Sequence, residues 1–278
     1  MTGSRGFVGT NLIEALGTTC HIIRWDARED KPLTECDAVI HLAGLAHDTK
    51  HTIEDEKYFE VNTELTKRIY DRFLESKAKK FIFFSSIKAK DGDTAYARSK
   101  KAAEEYILNT DYTDDTDKRV YILRPCMIHG KGNKGNLNLL VKWVKKGWPW
   151  PLAAFENKRS YASIGNVSYI VEQLLLKKVE SGIYEICDDE PISTNDMIDI
   201  IYECMGRKAR MLRVPRLLMK FGARIGDLLQ LPLNSERLRK LTGNYIIDNS
   251  KIKQALGIET LPVDAKDGLR RSFQSMLK

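Results

Sequence analysis

The chain has 278 residues, 42% of them apolar and 30% charged, and a formal net charge of +7. That composition excludes a disordered or fibrous chain, and the length allows one large α/β domain or a main domain with a smaller one attached. The charge is mild and spread, with no basic block, and suits an anionic small ligand as well as nucleic acid; the lack of a basic face interleaved with aromatics argues against a nucleic-acid partner.

The chain opens on Met1-Thr2-Gly3-Ser4-Arg5-Gly6-Phe7-Val8-Gly9, followed by a helical pattern over Thr10–Leu16. Glycines at this spacing let the backbone turn tightly, approach a pyrophosphate closely and pack the helix on a sheet, with the helix N-terminus facing the anion. Gly3, Gly6, Phe7, Val8 and Gly9 are therefore candidate dinucleotide contacts. Such a turn normally follows a strand, and no residues stand before it here to form one, so the sheet is expected to lack its first strand. His21–Asp26 reads as a short strand ending in an acid, roughly 20 residues beyond the glycines, where a carboxylate can accept hydrogen bonds from an adenosine ribose. Asp26 at that place favours NAD over its phosphorylated form; Arg24 and Arg28 nearby weaken the preference.

Ala38–Gly44 is a buried-type strand running into small residues, as expected where backbone passes close to a ligand. His41 within it is expected to be a satisfied core histidine, since no second ligand at metal-binding spacing accompanies it. Glu54–Ser76 has apolar positions at helical spacing, and Lys80–Ser86 is a strand ending in two hydroxyls. Alternation of strands and helices predicts a doubly wound parallel sheet, whose ligands bind beyond the carboxyl ends of the strands, where Ser85 and Ser86 stand.

Ala95–Leu108 is the next helix, carrying Tyr96-Ala97-Arg98-Ser99-Lys100. Residues four apart share one helical face, so the Lys100 ammonium is expected to pull the Tyr96 phenol down from its usual value of about 10 and make it a proton-transfer group. Val120–Pro125 is a strand, His129–Asn136 a glycine- and lysine-rich loop, and Leu137–Lys146 a helix. Asn157–Ser160 is a short basic turn before a strand and the helix Val167–Lys178; Gly182–Cys187 is a last strand and Ile192–Met205 a helix. Beyond Ala209 the helices are interrupted by Gly and Pro. Cys20, Cys36, Cys126, Cys187 and Cys204 lack any Cys-x-x-Cys spacing and read as reduced, mostly buried thiols. With no apolar run of membrane-span length and no signal peptide, a cytoplasmic protein is expected.

In this order the stretches from Thr2–Gly9 through Asp26, His41–Gly44, Asn62, Ser85-Ser86, Tyr96-x-x-x-Lys100, Leu123-Arg124-Pro125, Arg159-Ser160 and Gly182-Ile183-Tyr184 resemble the extended short-chain dehydrogenase/reductases of the NAD-dependent nucleotide-sugar epimerase/dehydratase family, in the manner of the UDP-glucose 4-epimerases. The resemblance implies a Rossmann-type doubly wound parallel sheet with a smaller C-terminal substrate lobe. Residues 1–130 would form the dinucleotide-binding domain, its sheet completed by strands within 160–187, and 131–278 mainly the substrate lobe. It further implies Tyr96 as acid/base and Lys100 as its pKa-lowering partner and nicotinamide-ribose ligand. Ser86 would hold the reacting sugar oxygen, Leu42, Ala43 and Gly44 would join the cofactor contacts, and Asn136 and Arg159 would hold the substrate phosphates. The implied cofactor is NAD, with NADP less suited, and no metal is implied.

The implied reaction is 4-epimerisation of a UDP-hexose or UDP-N-acetylhexosamine through a 4-keto intermediate. A 4-keto-sugar nucleotide reductase in surface-polysaccharide biosynthesis and a non-catalytic nucleotide-sugar-binding relative are the alternatives. A 4,6-dehydratase is disfavoured, because Ile87 and Lys88 stand where that subgroup places an acid pair. A homodimer through Glu54–Ser76 and Ala95–Leu108 is also implied. Ile87–Ala95 is much shorter than the family usually places between serine and tyrosine.

Overall fold

The computed structural model describes residues 1–27, 33, 35–46, 52–110, 117–133, 135–230 and 234–278. They form two units: residues 1–126, 166–186 and 248–260 make the first, and 127–165, 187–247 and 261–278 the second. Arg28 lies outside the described residues.

Four short runs, rich in β-branched and aromatic residues, build the sheet of the first unit: β1 (Ala38–His41), β2 (Lys80–Phe84), β3 (Arg119–Pro125) and β6 (Gly182–Ile186). They pair in the order β1-β2-β3-β6, all parallel, with Ile40 opposite Ile82, Ile82 opposite Tyr121 and Leu123 opposite Tyr184. One face packs on α3 (Leu65–Glu75) and α5 (Ala95–Asn109): Val39, Phe81, Phe83, Val120 and Ile122 join Ile69, Tyr70, Phe73, Ala103 and Ile107 in one core. The alternate residues Ile40, Ile82, Tyr121 and Leu123 are buried too, and strand geometry points them to the opposite face. Both faces are covered, as a parallel sheet requires. This is the expected doubly wound α/β architecture.

Two lysines at the strand entrances tie helices to the sheet. Lys80 Nζ donates to the Leu174, Leu175 and Lys177 carbonyls at the end of α7 (Ile164–Leu176), at 2.9, 2.6 and 2.8 Å. Lys118 Nζ donates to the Phe73, Ser76 and Ala78 carbonyls at the end of α3, at 3.0, 2.7 and 2.9 Å. Each ammonium adds a donor to carbonyls at or just beyond a helix C-terminus and sits at the negative end of the helix dipole.

The first regular element is α1 (Phe7–Leu16), not a strand. Met1 and Thr2 occupy the position of a strand end beside β1: the Thr2 N–H donates to the Ile40 carbonyl at 3.0 Å, and Thr2 pairs with His41 in a parallel bridge. On their other side, the Met1 nitrogen donates to the Ile23 carbonyl and the Trp25 N–H to the Met1 carbonyl. Among the described residues His21–Asp26 is therefore not a regular strand; both of these backbone bonds run to Met1.

The expected helix Glu54–Ser76 is also divided. A short α2 (Asp55–Tyr58) passes into a π-helical turn, Phe59–Glu64, and then into α3. Ile87–Ala95 is not featureless: it holds one helical turn, α4 (Lys88–Asp91).

In the second unit β4 (Met127–His129) pairs in parallel with β5 (Tyr161–Ser163), and α6 (Leu137–Lys145), α8 (Thr194–Cys204) and α12 (Ala265–Leu277) surround a separate apolar core. His129 is fully buried, its Nδ1 2.8 Å from Ser272 Oγ and its Nε2 3.4 Å from Asp188 Oδ2; the same carboxylate accepts the Ser163 N–H. Helices α9 (Arg216–Leu228) and α10 (Ser235–Thr242) follow, while α11 (Ser250–Leu256) returns to the first unit. None of the five cysteines forms a disulfide, and two of them, Cys126 and Cys187, are buried, fewer than the sequence suggests. Among the described residues no helix is long and apolar enough to cross a membrane.

Candidate active site

The site is built at the carboxyl ends of β1 and β2, where a doubly wound sheet leaves room for a ligand. The glycine turn comes first. Gly3 has φ +62°, and a Cβ on it would lie 2.7 Å from the Ala43 nitrogen and from the Leu42 carbonyl carbon. A Cβ on Gly9 would run into the Gly3 carbonyl oxygen. Neither position admits a side chain. Gly6 is the N-cap of α1, so the free amides of the first helical turn, Phe7 and Val8 among them, lie beside this bare backbone. Thr2 Oγ1 accepts from the Leu42 and Ala43 N–H groups, both at 3.1 Å, which stitches the turn to Leu42–Gly44. A pyrophosphate needs such a cradle: close backbone, free amides and the positive end of a helix dipole. Asp26 is half-buried at the end of the extended segment beside Met1.

His41 is the satisfied core histidine expected from sequence. Its Nδ1 lies 2.8 Å from Thr2 Oγ1 and its Nε2 3.0 Å from Thr66 Oγ1, while Thr66 donates its own proton to the Asn62 carbonyl at 2.7 Å. Thr66 must then accept from Nε2–H, which leaves Nδ1 to accept from Thr2. Burial, reinforced by the nearby Lys100 charge, pulls the imidazole pKa down to about 3. The ring is neutral and bridges the glycine turn to the π-helical turn.

That turn presents Asn62, whose side chain accepts from the Leu45 N–H at 2.7 Å and donates to the Leu45 carbonyl at 3.2 Å and to Ser99 Oγ at 3.1 Å. It fixes the backbone after Gly44, where a Cβ would lie 2.9 Å from Asn62 Oδ1 and 3.2 Å from Lys100 Nζ. The extra residue of a π turn aims the amide there, a common use of such turns at functional sites.

Helix α5 begins at Thr94, whose hydroxyl accepts from the Ala97 N–H at 3.2 Å. This cap puts Tyr96 in the first turn, with Lys100 and Glu104 one and two turns further on the same face. The Ser86 hydroxyl hydrogen-bonds the Tyr96 phenol, and the Tyr58 ring stands edge-on to it at 6.1 Å. Lys100 is buried; its Nζ donates to the Phe84 carbonyl at 2.8 Å and lies 4.8 Å from the Phe83 ring centre. Burial lowers the Lys100 pKa to about 8, and Glu104 opposes that shift.

One expectation is overturned. Burial raises the Tyr96 phenol above its usual value, and the Ser86 hydrogen bond only partly offsets this. The Lys100 ammonium gives one of its three N–H donors to the Phe84 carbonyl, and helical spacing alone does not deliver a lowered phenol pKa against burial.

Ser85 and Ser86 have different work. Ser85 Oγ donates to Glu104 Oε1, and Glu104 is gripped by Arg124, whose Nε lies 3.0 and 3.1 Å from its two oxygens and whose Nη2 lies 2.5 Å from Oε2. Of the two serines, it is Ser86 that hydrogen-bonds the phenol. Glu104 and Arg124 were not singled out from sequence as site residues, although Glu104, one turn beyond Lys100, carried the signal.

Asn136 and Arg159 belong to the second unit. Asn136 is exposed where α6 begins, and its carbonyl accepts from the Leu139 N–H. Arg159 sits in extended backbone paired with Ile192 and Tyr245; one guanidinium nitrogen donates to the Lys240 and Gly243 carbonyls at 2.7 and 3.4 Å, and the group lies over the Tyr245 ring. Among the described residues no group of three or more His, Cys, Asp or Glu side chains could hold a metal ion.

The model of the NAD dependent epimerase/dehydratase family matches residues 1–187, which include the glycine turn, β1, Ser86 and the Tyr96 helix. A UDP-glucose 4-epimerase of Vibrio cholerae is 29% identical over 321 aligned residues, covering 100% of this chain and 95% of the relative. An N-acetyl-alpha-D-glucosaminyl-diphospho-ditrans,octacis-undecaprenol 4-epimerase of Escherichia coli O157:H7 is 24% identical, covering 99% and 93%. Among solved structures, UDP-glucuronic acid 4-epimerase from Bacillus cereus in complex with NAD shares the fold, with a TM-score of 0.74 at 17% identity and coverage of 99% and 97%. The cradle at the glycine turn fits the same dinucleotide, and the protein is an enzyme of the NAD-dependent epimerase/dehydratase family.

Proposed function

We propose that this enzyme inverts C4 of a UDP-hexose or UDP-N-acetylhexosamine through a 4-keto sugar, the first unit holding NAD and the second the sugar nucleotide. The observation that carries this reading is the Ser86 hydroxyl on the Tyr96 phenol, with buried Lys100 one helical turn on and against bare Gly44. Bound NAD would supply the hydride acceptor and donor. Gly3, Gly6, Phe7, Val8 and Gly9 would carry its pyrophosphate, Asp26 its adenosine ribose, and Leu42–Gly44 with Lys100 its nicotinamide end. Tyr96 takes the proton of the sugar 4-hydroxyl as the C4 hydrogen leaves as hydride. It returns the proton to the 4-oxygen once hydride has come back to the other face. Ser86 holds that oxygen and stabilises the phenolate by donating to it. Arg159 uses one nitrogen on helix-end carbonyls, and the rest of its fork is assigned to the diphosphate, beside Asn136.

Both curated relatives are 4-epimerases, one of a UDP-glucose and one of a lipid-linked N-acetylglucosaminyl diphosphate, and this supports inversion at C4 over dehydration. Incubation with UDP-glucose and with UDP-N-acetylglucosamine, followed by proton NMR, should reveal the 4-epimer without net NADH use. Tyr96→Phe should lower kcat by roughly 10²–10⁴. No turnover of either sugar would sink the epimerase reading.

One observation favours a second reading. A phenol held above its usual pKa stays protonated near neutral pH, the form in which reduction of a 4-keto sugar would begin. Stoichiometric NADH consumption with a 4-keto sugar nucleotide would establish that reading instead.

A further inference from the structure

Helix α9 in the second unit buries only Met219, Ala223 and Gly226. At roughly 100° per residue these three share one narrow stripe, and the rest of the helix divides into two exposed faces. One is apolar: Leu217, Leu218, Phe221, Ile225, Leu228 and the following Leu229 span an arc of about 120°. Leu217, Phe221 and Leu228 are 81%, 64% and 82% exposed. Single exposed leucines are ordinary, but six large apolar side chains on one arc make a patch. The other face is basic: Arg216, Lys220 and Arg224 recur every fourth residue and border the apolar arc. Arg216 donates to the Ala154 carbonyl at 2.9 Å, whereas Lys220 and Arg224 have no ion-pair partner among the described residues. The one acid of the helix, Asp227, falls on this same face between Arg216 and Lys220 and is bonded to Ser235, which leaves the face net basic.

We propose that this face of α9 docks the enzyme on an anionic lipid bilayer, the helix lying in the plane of the interface. A helix of 13 residues is about 20 Å long, too short to span, and its three faces suit an interfacial position. The apolar arc enters the acyl boundary, the basic row meets lipid phosphates, and the buried stripe holds the helix to the protein. A second copy of the chain is the poorer occupant. Antiparallel pairing about the apolar arc would set each basic row against the same row of its copy. The consequence for function is that the enzyme works where lipid-borne acceptors and carriers are held.

The test is co-sedimentation of the full chain with vesicles of phosphatidylcholine alone and of equal parts phosphatidylcholine and phosphatidylglycerol. Binding is expected to the mixed vesicles, to be weak to the neutral ones, and to fall with added salt. The triple variant Leu217→Glu/Phe221→Glu/Leu228→Glu should lose binding by about tenfold or more. Lys220→Gln/Arg224→Gln should lose about tenfold and most of the salt dependence. Turnover of soluble substrate should be unchanged in both. A wild-type chain that stays in the supernatant with mixed vesicles overturns the proposal, as does a glutamate variant that binds equally well. Light scattering decides the rival occupant: a wild-type dimer that the glutamate variant splits into monomers assigns the face to a second copy.

Discussion

Lys100 and Glu104 show how far a residue's chemistry depends on what stands next to it. Burial brings the ammonium down to about 8, within reach of ordinary assay conditions, and Glu104 is what keeps it from falling further. Removing the carboxylate charge should therefore lower the Lys100 pKa again. If the charged lysine is the active form, the alkaline limb of the pH–rate profile should move to lower pH in Glu104→Gln; an unmoved limb would contradict this role. The same change strands the Arg124 charge, and breaking such a pair costs about 3–5 kcal/mol when it is fully buried. The two effects separate experimentally, one in the pH profile and the other in a melting curve. The serines give a second contrast. Ser86→Ala should lower kcat, since Ser86 meets the phenol, whereas Ser85→Ala should lower stability, since Ser85 serves the Glu104–Arg124 pair. Equal loss of kcat in both would remove the distinction.

Elements here are fixed as much by their ends as by their apolar faces. Lys118 stands just before β3 and donates to three carbonyls at and just beyond the end of α3, and its charge is partly desolvated, which lowers its pKa. Lys118→Met keeps the stem over Phe73 and removes the donors, so urea unfolding should show a loss of about 1–3 kcal/mol. A midpoint equal to wild type would mean that water serves those carbonyls as well. The π turn at Phe59–Glu64 makes a related point: the apolar periodicity of Glu54–Ser76 is that of a single helix, and the extra residue becomes visible only through the amide that Asn62 aims at Leu45.

Across the whole molecule, acid sensitivity should trace in part to one ring. His41 binds a proton at about 6.5 when unfolded but only near 3 when folded, so between these values the unfolded chain holds more protons. Stability must then fall as pH drops from 6.5 towards 3, by up to about 1.4 kcal/mol per pH unit, with no contribution above pH 7. His41→Asn should be less stable at neutral pH yet show a shallower acid slope. An unchanged slope would mean that other groups govern acid unfolding.

The amino-acid sequence by itself determined the class of fold and the candidates for its chemistry. Strand and helix periods, the glycine run and Tyr96-x-x-x-Lys100 are local patterns, and local patterns survive in one dimension. Tertiary structure decided what those candidates do. Ser85 and Ser86 are indistinguishable as neighbours in a chain, and only the packing of α5 on β2 and β3 gives one to Glu104 and the other to Tyr96. The direction of the Tyr96 shift is also set by tertiary packing, because burial outweighs helical spacing. The place of Met1 and Thr2 beside β1 and the bare apolar arc of α9 are likewise facts of pairing and exposure. Pairing and exposure depend on residues far apart in the chain, and no local pattern records them.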